Sequence, residues 1–158
     1  MIENRFFPEI HGNFGFGCMR LPMAGPIVNG ATFTKMVDAF IAAGFNYFDT
    51  AHGYLSGQSE KALKACLVER YDRDRYILTD KLSTHFFRQE SEIRPLFEAQ
   101  LKACGVDYFD FYLMHAQDAA IYEKYRRCRA YETALALKAE GRIRHFGISF
   151  HDKAEVLT

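Results

Sequence analysis

The chain has no excess charge of either sign, since 20 lysines and arginines offset 20 aspartates and glutamates. That balance removes any global electrostatic pull toward nucleic acid or an anionic membrane surface. No apolar run approaches the roughly 20 residues that a bilayer-spanning helix needs. The opening MIENRFFPEIHG also lacks the apolar stretch and small-residue site of a cleaved leader. The expectation is a cytoplasmic protein with neither membrane nor nucleic acid as partner. Cysteine is sparse and dispersed: Cys18, Cys66, Cys104 and Cys128 form no CxxC pair. Neither a zinc site nor a compact iron–sulfur run is therefore visible. Reduced core thiols are the expected state. Low-complexity stretches and linkers are missing too, which leaves one domain over 158 residues.

What is present is material for a core. Apolar residues make up 49% of the chain, with 15 phenylalanines and 9 tyrosines among them, ample for an ordinary buried interior. Short runs rich in β-branched and aromatic residues fall at 14–17, 45–49, 76–79, 109–114 and 144–149. Longer segments of helical period separate them at 32–43, 59–69, 91–104 and 118–140, the last broken near 128–130. Gly44, Gly105 and Gly141 stand as left-handed stops. Pro95 falls in the first turn of its helix, where no intrahelical N–H is lost. A strand–helix alternation at roughly 30-residue spacing is βαβ construction with a parallel sheet. The first dozen residues, with Pro8, Gly12 and Asn13, are read as a small hairpin or cap before the first strand.

Chemistry-bearing residues recur at one position in this pattern. Asp49, Lys81, His115 and Ser149 each lie at, or just past, the C-terminal end of a different predicted strand, and Tyr54 follows Asp49 in the next loop. Taken singly, each has an ordinary explanation as a turn cap, a solvated side chain or a histidine at a sheet edge. In a parallel βα barrel, however, those strand ends converge on one mouth. Reducing a carbonyl requires a proton as well as a hydride, and a tyrosine can deliver it. A free phenol titrates near pH 10, and a neighbouring ammonium favours its ionised form. Lys81 is the candidate for that ammonium, Asp49 for its anchor, and His115 for a donor to the substrate oxygen.

At these residues the sequence resembles the aldo-keto reductases. The pieces FNYFDTAHGY, YILTDKL, VDYFDFYLMH and GRIRHFGISF look like successive strands of that family in its order. The tracts FGCMRLP, GYLSGQSE and ISFHD are similar to a bacterial and archaeal branch, many of whose members are fused to a ferredoxin-like domain. The resemblance implies a catalytic tetrad of Asp49, Tyr54, Lys81 and His115. It implies NADP(H) as cofactor and a small carbonyl compound as substrate. It further implies cofactor contacts from Gly17, Cys18, Met19 and Ser149, with Phe150 standing where relatives carry an Asn. No metal is expected.

A complete (β/α)8 barrel takes about 250 residues, so the expected fold class is α/β, a partial TIM barrel of about five parallel strands. Residues 1–158 are then the N-terminal part of an aldo-keto reductase barrel domain. Five strands leave two edges and an inner face uncovered, which predicts self-association through the open barrel edges. The alternative to a reductase is a truncated non-catalytic module that self-associates or binds a partner. A metal-assisted hydrolase built on His115 and Asp49 lacks further ligands at strand ends.

Overall fold

Each of the five runs expected as strands forms one, and each pairs in parallel with the next along the chain. The computed structural model describes residues 6–157. Strand β1 (Gly15–Gly17) is followed by β2 (Met23–Ala24) and β3 (Ile27–Val28), helix α1 (Gly30–Ala42), β4 (Tyr47–Asp49) and helix α2 (Gln58–Leu63). Then come β5 (Ile77–Leu82), α3 (Ile93–Cys104), β6 (Phe109–Gln117), α4 (Ala119–Arg127), α5 (Ala130–Ala139) and β7 (Ile143–Phe150). The main sheet runs β1-β4-β5-β6-β7 with all neighbours parallel, so every crossover passes through helical structure or the loops around it. Among the described residues no helix is long and apolar enough to cross a membrane.

Local sequence explains most element boundaries. Asn29 caps α1 by accepting from Thr32 N at 3.0 Å, and Asp118 caps α4 by accepting from Ile121 N at 2.7 Å, each satisfying an otherwise orphaned helical donor. Gly105 ends α3 in the left-handed region, at φ 74°. The break in the long fourth segment lies at Cys128–Arg129, with Arg129 at φ 52°. The predicted helix over 59–69 differs in detail. Its α-helical part ends at Leu63 and continues as a π turn over Lys64–Val68. Of the hairpin or cap expected before β1, residues 6–12 form no hairpin but do pack against the sheet: the Phe7 ring meets Phe111 and His145 at 5.0 Å each, and His11 N donates to Asn46 Oδ1 at 2.9 Å; residues 1–5 lie outside the described residues. The observed hairpin is β2–β3, after β1, where Gly25 at φ 62° allows the tight reversal.

Packing puts the helices on one face of the sheet. Phe33, Val37, Phe40 and Ile41 of α1 are buried, and the Phe40 ring meets Phe16 and Phe48 at centroid separations of 5.4 and 5.1 Å. Phe97 of α3 contacts Phe109 and Tyr112 in the same way. Each such side chain contributes about 1.5–3 kcal/mol on burial. The opposite face, read from the register, carries Tyr47, Asp49, Thr79, Lys81, Phe111 and Leu113. Two polar anchors fix the strands to one another. Buried Asp110 accepts from Leu78 N at 2.8 Å and pairs with Arg73 and Arg144. At the other end the fully buried Tyr125 accepts from His115 N at 2.9 Å and donates to the carbonyl of Leu82.

Tyr125→Phe keeps the ring and strands two buried backbone groups, so it should lower stability by about 1–3 kcal/mol in urea unfolding. A wild-type unfolding midpoint would show that the hydroxyl does not tie α4 to β5 and β6.

Candidate functional site

Strand alternation sends Asp49, the last residue of β4, and Lys81, the penultimate residue of β5, to the face away from the helices. The Lys81 side chain is only 5% exposed. A buried ammonium needs acceptors in place of water, and it has three. Nζ lies 2.5 Å from Asp49 Oδ1, 2.7 Å from the carbonyl oxygen of Thr50 and 3.3 Å from the Tyr54 hydroxyl. It also sits 4.8 Å from the centroid of the Tyr54 ring. Because Lys81 donates to the phenolic oxygen, the Tyr54 hydrogen is left to point elsewhere.

Tyr54 owes its place to an unusual turn. Leu55, Ser56 and Gly57 follow it with φ of 53°, 55° and 80°, three consecutive left-handed residues of which only the glycine is at ease. The surrounding loop is tied at several points. Thr50 and Ser59 share a hydrogen bond of 2.7 Å, and Ser59 donates to Cys18 O at 2.9 Å. Gln58 bridges to the hairpin by accepting from Val28 N and donating to Pro26 O, both at 3.0 Å. His52 Nδ1 lies 3.0 Å from Glu60 Oε2.

His115 completes the group from β6, where the pairing with β7 slips. Met114 faces Ile148 and Gln117 faces Phe150, one extra residue on β6, with Ala116 at φ 53°. Such a bulge re-aims a side chain at the end of a strand. The His115 and Tyr54 rings meet edge to face, centroids 5.8 Å apart. His115 Nδ1 lies 2.6 Å from Ser83 Oγ. Burial first, then the positive charges of Lys81, His151 and His85, pushes the imidazole down to about 4, so the ring is neutral at neutral pH. Gly53, Tyr54, Ser83, Phe86, His115 and Ile121 line a cleft of about 290 Å³ beside these groups.

The four residues expected as a tetrad are thus brought together. The residues expected at a cofactor lie near them with mixed availability. Gly17 and Met19 are exposed at the end of β1, and a Cβ added at Gly17 would meet nothing within 4 Å. The Cys18 side chain is buried, and its N–H donates to Asp49 O at 2.8 Å. Ser149 Oγ accepts from Ala116 N at 3.3 Å and so partly serves the bulge. Two neighbours of the site were not singled out from sequence. Ser83 had a signal, being two residues past Lys81 and hence on the same face. Tyr125 had none beyond being one aromatic in a helical stripe.

The sequence pattern of the aldo/keto reductase family matches residues 13–158. An aldo-keto reductase from Mycobacterium sp. (strain KMS) is 32% identical over 115 residues, which are 73% of this chain and 40% of that protein. The holo form of an aldo-keto reductase from Bacillus halodurans superposes with a TM-score of 0.71 at 28% identity, covering 89% of this chain and 46% of the other. An aldo-keto reductase from Klebsiella pneumoniae, solved in complex with NADPH, superposes at 0.72 with 24% identity and covers 90% and 46%. The chain spans less than half the length of these relatives. The family pattern runs over nearly all of the sequence, and the five strands follow the order of solved members: the chain belongs to the aldo/keto reductase family.

Proposed function

We propose that residues 1–158 are the N-terminal part of an aldo-keto reductase barrel domain. They carry the proton-donating half of an NADP(H)-dependent reduction of small aldehydes or ketones. The observation that carries this reading is the Lys81 ammonium held between Asp49 and the Tyr54 hydroxyl. A carbonyl whose oxygen sits in the cleft between Tyr54 and His115 meets a phenol hydrogen that no described residue claims. Lys81, by donating to the phenolic oxygen, stabilises the negative charge left there as the proton departs. Asp49 and Thr50 O hold Lys81 in position. His115, neutral, orients the carbonyl: with the Ser83 hydroxyl donating to Nδ1, Nε2 keeps the hydrogen and offers it to the substrate oxygen.

The nicotinamide end of the cofactor fits what is present. Gly17 is exposed beside the strand ends, where an added Cβ would meet nothing within 4 Å, and the Ser149 hydroxyl is near the bulge that carries His115. When bound, NADPH supplies the hydride. Support for this cofactor also comes from the NADPH complex of the Klebsiella pneumoniae relative. Tyr54→Phe should reduce NADPH-dependent turnover of a generic aldehyde by about 10²–10⁴-fold, the usual contribution of a positioned acid, while leaving NADPH affinity unchanged. Equal turnover by Tyr54→Phe and wild type would refute the role of the phenol.

A second reading is favoured by the uncovered sheet. Among the described residues β1 and β7 each have one strand neighbour, and unpaired edges recruit further strands. On this reading the chain is a non-catalytic module that pairs with a second copy through those edges. Sedimentation at micromolar concentration should then give a dimer or larger species. A cooperative, well-folded monomer would exclude it.

A further inference from the structure

We propose that His52 is a positioning residue: its imidazolium closes a buried Glu60–Asp80 carboxyl pair, and this brace ties the loop bearing Tyr54 to the strand bearing Lys81. The inference takes Tyr54 and Lys81 as the working pair of the proposed reductase site.

Asp80 precedes Lys81 on β5, and alternation sends it the opposite way, toward the helices. There it is fully buried together with Glu60 of α2 and Cys104 of α3. The ligand-type atoms of these three side chains all lie within 4.8 Å of one another. Two carboxylates so close and so dry do not both stay charged. Burial first, and the negative charge of Glu60 second, hold Asp80 well above the ordinary carboxylate range. Asp80 therefore favours its protonated form beside the Glu60 carboxyl. Burial first, and the neighbouring Asp80 second, also raise the Cys104 thiol well above the ordinary thiol range.

On the loop, the Glu60 carboxyl has a partner that is cationic when protonated. His52 Nδ1 lies 3.1 and 3.0 Å from the two Glu60 oxygens. Its ring is fixed edge-on against Phe86, at a centroid separation of 4.7 Å. Phe86 also crowds Gly53, where an added Cβ would sit 3.3 Å from the ring. Phe86 thus lies against both His52 and the residue that directly precedes Tyr54. At the other end, Asp80 Oδ1 accepts from the backbone N–H of Lys81 at 2.7 Å. The chain of contacts runs from His52 through Glu60 and Asp80 to Lys81, behind the sheet face that carries the site.

The titratable groups around this chain are Glu60 on α2, Asp80 and Lys81 on β5, Cys104 on α3, Tyr112 on β6 and Cys18 just past β1, with His85 in the turn that presents Phe86. Glu60 raises the His52 imidazole by hydrogen bonding, against the lowering effect of burial. A raised histidine contributes its full stabilisation below the ordinary value near 6.5. It loses that stabilisation as pH rises through the raised one. The Tyr54 loop should accordingly loosen on the alkaline side of the ordinary histidine range.

The test is an NMR pH titration of the intact chain with labelled histidine rings and labelled tyrosine ζ carbons, the Tyr54 signal being assigned with Tyr54→Phe. It requires no turnover, so this inference and the reductase reading can fail separately. His52 should titrate above the ordinary histidine value, and the Tyr54 ζ resonance should step at the same midpoint. His52→Gln, which changes a partly exposed side chain, should lose that step while the chain still unfolds cooperatively. Asp80→Asn, a mimic of the protonated acid, should leave the His52 midpoint raised, whereas Glu60→Gln should return it to the ordinary value. An ordinary or lowered His52 midpoint in the wild type overturns the proposal. So does a Tyr54 resonance indifferent to it, or a His52 midpoint lowered by Asp80→Asn.

Discussion

Lys81 is a charged side chain left only 5% exposed, and the structure around it is organised by the need to keep that charge satisfied. Removing an ammonium from water costs several kcal/mol even after the protein relaxes, so it persists only where acceptors are already in place. Asp49 supplies the counter-charge, Thr50 a carbonyl and Tyr54 a phenolic oxygen. These come from the end of β4 and the loop beyond it, whereas Lys81 belongs to β5. The parallel register that sets Asp49 beside Thr79, two residues before Lys81, is therefore as much a part of the site as the side chains are.

The strain and the anchoring on either side follow from the same requirement. Leu55 and Ser56 occupy left-handed backbone without the freedom of glycine, a conformation that costs of order 1–3 kcal/mol per residue. It is held because Thr50, Gln58 and Ser59 pin the loop to its neighbours. On β6 the bulge at Ala116 turns His115 toward Tyr54. Tyr125 and Ser149 take up backbone groups near that bulge, including the N–H of His115 and of Ala116. Local distortions that look unfavourable in isolation are thereby paired with polar contacts that only the folded chain can make.

Much of this arrangement was legible in the sequence. Buried, β-branched and aromatic runs announced all five parallel strands, and counting to their C-terminal ends located Asp49, Lys81 and His115. Tyr54 became significant only because of those neighbours. The boundaries shifted where burial extends further than the apolar run: β5 continues through the charged Asp80 and Lys81, because each has buried partners. Other features had no sequence signal. Leu55 and Ser56 are poor candidates for positive φ by intrinsic preference. The two-residue strands β2 and β3 are too short for a period. The meeting of Glu60, Asp80 and Cys104 depends on how α2 and α3 pack on β5. Cys18 sat at the expected strand end, yet its thiol turns inward, a choice that strand alternation decides only once the end of β1 is known.

The accessibility of Lys81 is the most direct measure of whether a buried, paired ammonium organises the site. Gentle reductive methylation followed by lysine-by-lysine mass spectrometry should find Lys81 the slowest lysine in the chain to react, with Asp49→Asn accelerating it. If Lys81 instead reacts as fast as the exposed Lys102, and Asp49→Asn makes no difference, the ammonium is solvated and the site is not built upon it.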